Sequence, residues 1–241
     1  LANNCLSPTL NMKIDKITLL IIITLLFITS CSSDDNDTIP TILPSYAGKF
    51  TDSRDGKEYN YVRIGNLEWT TDNAKYDTKD DYTRSIYSTQ QILGDNNSTN
   101  DSLTVAKFGY LYSYEGAKQA VPEGWRLPTD EDWKNLEISL NMSESDANSD
   151  GWRGNYQATL MHEKDGTQLN LKYGGFMDGN STTFASKFYY IEAFGYYWTD
   201  TYDKNTSTAY YRKILYNSGK VYHHVSATNN MMSVRFVRNA K

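Results

Sequence analysis

No cysteine follows Cys31 in this 241-residue chain. A fold built from residues 32–241 has no disulfide to staple it, and must stand on packing and hydrogen bonds. Residues 46–241 are long enough to bury one real core, and a single domain is the simplest count. Cys5 lies ahead of Met12, and residues 1–11 are expected to be a mis-called start.

The place of Cys31 gives it a second meaning. Lys13 and Lys16 are followed by an apolar run, Ile17 to Ile28, then Thr29, Ser30 and Cys31. A basic start, a short apolar segment and small residues before a cut describe a secretory signal, here residues 1–30. Spanning a bilayer takes about 20 apolar residues, so the run is short for a transmembrane helix. It has no polar face, which argues against a core helix. The run Ile28-Thr29-Ser30-Cys31 resembles the bacterial lipobox, which implies lipidation of Cys31 and attachment to a membrane. Ser32-Ser33-Asp34-Asp35-Asn36-Asp37 resembles the acidic stretch that sends some Bacteroidota lipoproteins to the surface of the outer membrane. It is equally a solvated tether, since acidic polar runs rarely fold. With Pro40 and Pro44 it makes residues 31–45 a lipidated flexible tether.

The chain holds 24 Lys and Arg against 29 Asp and Glu. Loss of Lys13, Lys16 and Asp15 with the signal makes the balance slightly more acidic. Such a domain has no broad basic footprint for nucleic acid. The unusual count is 20 tyrosines with 5 tryptophans, all within residues 46–241. Aromatics offer rigid contact area with a polar handle at recognition surfaces. They also pair across strands in β-rich folds, which is the simpler role.

Strand-like alternation at Lys57 to Ile64, a Gly65-Asn66 loop and Leu67-Glu68-Trp69 predict a hairpin. Residues 76–104 are polar and read as a long surface loop. Gly109 to Ala120 has the spacing of a short helix. Thr129 can cap a helix over Asp130 to Leu140, with Asp132 completing a capping box and Trp133, Leu136 and Leu140 on one face. Leu169 to Tyr173, Phe194 to Thr199, Ala209 to Tyr216, Lys220 to Val225 and Ser233 to Arg238 read as strands. The last is apolar on both faces, as a central strand would be. Helices early and strands late predict an α+β class.

Several blocks keep the order of a known pattern. They are Asp55 to Trp69 with Asn73, Phe108-Gly109-Tyr110-Leu111-Tyr112, Gly124-Trp125-Arg126-Leu127-Pro128-Thr129, Tyr197-Trp198-Thr199-Asp200 and Ser233 to Arg238. Together they resemble the Fibrobacter succinogenes major paralogous domain over roughly residues 50–239. That family is common in exported lipoproteins and its biochemical function is largely unassigned. Arg126 to Thr129, the acidic helix with Trp133 and the terminal Val234 to Arg238 are more distantly similar to the formylglycine-generating enzymes. This implies a C-type-lectin-like fold: two short helices, antiparallel sheets and long loops.

The residues that would carry the enzyme's chemistry are missing. That family uses a copper-binding cysteine pair, and Phe236 stands where a closing-strand cysteine is common. Calcium-dependent lectins use Glu-Pro-Asn or Gln-Pro-Asp with Trp-Asn-Asp, and none occurs intact here. Trp198-Thr199-Asp200 is similar in outline only, and Asp203 with Asp200 would as easily cap a loop. His223 and His224 are adjacent in a strand and point to opposite faces, and His162 precedes a turn. No metal, cofactor or catalytic residue is expected. Asp37-Thr38-Ile39 and Asp101-Ser102-Leu103 resemble the Bacteroidota O-glycosylation motif.

The sequence reading is a surface-exposed outer-membrane lipoprotein acting as a non-catalytic module for glycan or protein ligands. Trp198, Asp200 and Tyr202 are the candidate ligand-binding residues. The alternatives are an assembly subunit of a surface appendage or envelope complex, and an enzyme with an unrecognised site.

Overall fold

The structure, a computed structural model, describes residues 39–81, 83–86, 104–162, 166–182 and 187–241. The signal, Cys31 and the motif at 101–103 lie outside these residues, as do the first two residues of the motif at 37–39. Pro40–Lys241 form one compact unit.

The first strands are β1 (Tyr46–Thr51), β2 (Glu58–Ile64) and β3 (Leu67–Thr70). Tyr59 and Tyr61 turn inward while Glu58 and Asn60 face out, the period of two expected of a half-buried strand. The β2–β3 turn starts at Gly65 with φ +59°, a conformation that glycine adopts without strain. The short pair β4 (Arg84–Ser85) and β5 (Leu111–Tyr112) follows. Helices α1 (Tyr114–Ala120), α2 (Asp130–Ser139), α3 (Glu144–Ala147) and α4 (Gln157–His162) occupy the middle of the chain, with β6 (Gly151–Arg153) among them. The remaining strands are β7 (Gly174–Met177), β8 (Phe188–Ile191), β9 (Phe194–Asp203), β10 (Thr208–Leu215), β11 (Val221–Ala227) and β12 (Val237–Asn239).

The α+β class holds, with three sheets among the described residues. One is ordered β1-β2-β3-β12, one β6-β11-β10-β9-β7-β8 and one β4-β5. The six-stranded sheet is antiparallel except at β7–β9. Gly175 and Gly195 face each other at that parallel contact. A Cβ on Gly195 would stand 2.3 Å from the Lys172 carbonyl oxygen, so only glycine lets the strands approach.

The α2 helix forms as its sequence dictates. Thr129 Oγ1 accepts the Asp132 N–H at 3.1 Å, and the Asp132 carboxylate accepts the Thr129 N–H at 2.7 Å. Its apolar face packs Trp133 against Trp69 and Tyr197, with ring centroids 5.0 and 6.0 Å away. That cluster lies on one face of the large sheet, with Ile214 and Val221. The other main cluster gathers Tyr59, Tyr112, Tyr114, Trp198 and Phe236.

Three expectations need correction. More than two helices are described, since residues 104–108 are helical besides α1–α4, and the early part of the chain already contributes three strands. The helix expected over Gly109–Ala120 begins only at Tyr114, because Gly109 turns at φ +76° and Leu111–Tyr112 join a strand pair. Leu169 to Tyr173 is not a strand. Gln168 and Asn170 take φ of 58° and 55°, and the Leu169 and Asn170 carbonyls accept from the Arg235 guanidinium instead of a ladder.

The terminal segment is buried on both sides, as expected of a central position, but only its end is a regular strand. Met231 bridges Met177, Met232 bridges Tyr112, and Ser233 bridges Tyr197. Val237 then pairs with Trp69 and bridges Arg126. One extended segment thus stitches all three sheets.

Candidate functional site

The outward face of the six-stranded sheet carries a row of rings set by register. Trp152 on β6 lies opposite Tyr222 on β11, and Tyr222 opposite Lys213 on β10. Lys213 lies opposite Tyr196 on β9. The Gly175–Gly195 pairing puts Phe176 of β7 beside Tyr196, and Phe176 lies opposite Tyr189 of β8. Every strand of the sheet contributes one side chain. Centroids are 5.2 Å apart for Trp152–Tyr222, 4.8 Å for Tyr196–Phe176 and 5.3 Å for Phe176–Tyr189.

Around the centre of this row, Phe176, Tyr190, Phe194, Tyr196, Tyr211 and Lys213 line an open cleft of about 420 Å³, with Ser226, Asn230 and Met232 at one side. Tyr196 and Tyr211 form its floor and Tyr190, 51% exposed, stands at its rim, while Trp152, 40% exposed, ends the row beyond it. Regular alternation would put Tyr189 and Tyr190 on opposite faces. Tyr190 instead has φ +65°, and both rings stack on Phe176. A left-handed conformation in a non-glycine residue costs about 1–2 kcal/mol and concentrates at functional positions.

Lys213 is the single charge in the row. Its Nζ lies 4.0 Å from the Tyr222 ring centroid and 5.2, 5.6 and 5.7 Å from those of Trp152, Phe194 and Tyr196. Among the described residues no carboxylate pairs with it. Burial among the rings holds its ammonium below the usual lysine pKa.

The residues singled out from the sequence fall elsewhere. Trp198 is fully enclosed: its Nε1 donates to the Tyr112 carbonyl at 2.8 Å and its ring meets Tyr114 edge-on. It occupies the correct sheet face, two residues beyond Tyr196, but is covered by β5 and α1. It offers no surface to a ligand. Asp200 is exposed and Tyr202 is 41% exposed. Tyr202 stacks on Tyr114, whose hydroxyl donates to the Asp200 carbonyl at 3.0 Å. Partial burial raises the Asp200 pKa. Asp203 caps its loop, accepting from the Asn205 N–H and the Thr206 hydroxyl. Cys31 lies outside the described residues.

Under the opposite face of the sheet lies a buried ion network that the sequence reading missed. Arg212 donates to Glu137 Oε1 at 2.8 Å and to Asp130 Oδ1 at 2.6 Å. Arg153 pairs with Glu137 Oε2, and Lys134 with Asp130 Oδ2 at 3.0 Å. His223 Nε2 faces Asp130 Oδ1 at 3.0 Å, and its Nδ1 faces the Ser149 carbonyl at 3.1 Å. Each ring nitrogen thus meets an oxygen. His224 points to the other face and is exposed. Every member has a partner, and the network lines none of the described clefts. Its chemistry is that of a structural lock.

A second cleft of about 470 Å³ lies between the β2–β3 turn and α2, lined by Trp69, Arg126, Asp132 and Asn135 among others. Its charges are spent within the fold, because Arg126 pairs with Asp132 while Asp132 caps the helix. Among the described residues no group of His, Cys, Asp and Glu could hold a metal ion, and no helix is long and apolar enough to cross a membrane. The aromatic row remains the site with uncommitted binding chemistry.

The family model described as the Fibrobacter succinogenes major domain matches residues 62–238. Neither the curated proteins nor the solved structures yield a match.

Proposed function

The chain belongs to the Fibrobacter succinogenes major domain family, and from that premise we propose that it is a non-catalytic binding module whose aromatic row takes a glycan. The observation that carries this reading is the row itself, Trp152-Tyr222-Lys213-Tyr196-Phe176-Tyr189, one residue from each strand. Sugar rings stack on aromatic faces through their C–H groups, and their hydroxyls stay in water at an open cleft. A pocket for a small apolar ligand would instead be deep and closed. The non-catalytic part is supported by Asp130, Glu137 and His223, which are consumed in a buried network away from the clefts.

The chain is placed, within this proposal, on the outer membrane through lipid on Cys31, with residues 31–45 as tether and the row facing outward to the ligand. A C-type-lectin-like form of the fold is part of the same reading. It is supported by the two longer helices, α1 and α2, and by the first and last strands sharing one sheet, at its two edges.

The test is a glycan array probed with the whole protein, repeated with Trp152→Ala and Tyr190→Ala. Each loss of a ring should weaken binding by about five- to tenfold, as expected for one aromatic contact. An array with no signal above the Trp152→Ala/Tyr190→Ala double variant would remove the glycan reading.

A further inference from the structure

The position of Lys213 narrows the ligand class. Strands in a sheet are spaced about 4.8 Å apart, so a row crossing six strands extends for about 24 Å. One strand step is close to the length a single pyranose adds to an extended chain. Trp152 at one end is exposed and Tyr189 at the other is half-buried, while the middle is a cleft floored by Tyr196 and Tyr211. A chain laid across the strands therefore passes the rings of Trp152, Tyr222 and Phe176 and meets a cation at the third strand.

That cation is unpaired among the described residues, although exposed carboxylates are plentiful on this acidic protein. Its neighbours are the faces of Tyr222, Trp152, Phe194 and Tyr196. Ring faces hold an ammonium in place by their quadrupole but leave its charge uncancelled. Ser226 and Asn230 at its side are already engaged. Asn230 Nδ2 donates to Ser226 Oγ at 2.9 Å, and Asn230 Oδ1 accepts the Gly179 N–H at 3.0 Å. Among the described residues lining the cleft, Lys213 is the one charged side chain.

We propose that the row binds an extended acidic polysaccharide, its sugars stacked along the strand-crossing line and one carboxylate or sulfate group seated on Lys213. This rests on the reading of the row as a glycan site. A uronic acid and a sulfated sugar present the same anionic oxygens to an ammonium, so the two sources differ only in the experiment. Lys213 is a specificity residue here; the rings supply the shared stacking.

The experiment is calorimetric titration of the whole protein with three hexasaccharides: polygalacturonate, its fully methyl-esterified and hence neutral form, and a carrageenan oligomer, which carries sulfate and no carboxylate. The variants are Lys213→Met, which keeps an apolar stem of similar length, and Lys213→Arg, which keeps the charge. Near-ultraviolet circular dichroism establishes that each retains the native aromatic packing. At least one acidic oligomer should bind about tenfold or more tighter than the neutral one, the ratio a charge-assisted hydrogen bond supplies. Lys213→Met should erase that ratio, while Lys213→Arg preserves it. The tighter acidic arm identifies carboxylate or sulfate as the natural group. Equal binding of acidic and neutral oligomers, or a ratio that survives Lys213→Met, would overturn the role of Lys213 and leave the glycan reading standing. No binding of any oligomer would remove both.

Discussion

Arg212 carries a full charge with none of its surface exposed, and its partners Glu137 and Asp130 sit beside it. Removing one member of a buried network costs more than the pair contributes, because the remaining charge stays desolvated without its counterion. Arg212→Met should therefore destabilise by about 3–5 kcal/mol, measured as a shift of the urea midpoint at unchanged slope. A loss below about 1 kcal/mol would mean that water reaches the network. The same carboxylates set the response to acid. Burial alone would raise the pKa of Asp130, but its bonds to His223 and Arg212 outweigh that and hold it well below the carboxylate range. Asp132, Glu68 and Asp52 are likewise lowered, burial being overcome by Arg126, by Arg63 with Arg238, and by Arg54 respectively. A carboxyl with a lowered folded pKa contributes stability that is complete above its unfolded value of about 4 and is lost as pH falls through the folded value. The melting temperature should stay level from pH 7 to about 5 and drop steeply below about 4. A level melting temperature down to pH 3 would show that these pairs add nothing.

At the scale of elements, the family signature Arg126-Leu127-Pro128-Thr129 is a folding device rather than a ligand site. Thr129 and Asp132 close the capping box, Arg126 pairs with Asp132, and the Arg126 backbone bridges Val237. Thr129→Ala should cost about 1 kcal/mol in a denaturant titration, and Thr129→Asn only a few tenths. The α2 helix and the β2–β3 hairpin were legible because their signals are local: a cap three residues from its partner, and a glycine between alternating strands. The aromatic row was not, because its members run from Trp152 to Tyr222 and meet only through the strand order β6-β11-β10-β9-β7-β8. Trp198 was chosen from a motif outline. The alternation that puts Tyr196 and Trp198 on one face was readable, but the cover over Trp198 by Tyr112 and Tyr114 comes from segments some 85 residues earlier in the chain. Glu137 had no such local signal. It lies one turn after Trp133 on the inward side of α2, where Arg153 and Arg212 from β6 and β10 receive it.

For the whole molecule, the segment from Met231 to Asn239 decides how the parts depend on one another. It pairs in succession with β7, β5, β9 and β3, which belong to all three sheets. Arg235, fully buried within it, donates to the Asn73 side chain and to the carbonyls of Thr70, Leu169 and Asn170. Phe236 enters the cluster of Tyr59 and Trp198, while Val237 enters that of Trp69 and Trp133. Neither cluster can open without pulling on the same backbone. With no cysteine after Cys31 to hold a half-open form together, unfolding should be one cooperative transition. Phe236→Ala removes a ring from one cluster only and should cost about 3–5 kcal/mol. Its signature is that near-ultraviolet circular dichroism, which reports the aromatic clusters, and far-ultraviolet circular dichroism, which reports the sheets, still shift together to a lower urea midpoint. If the two signals separate in the variant, the clusters unfold independently, and the terminal segment is a peripheral strand rather than the stitch between sheets.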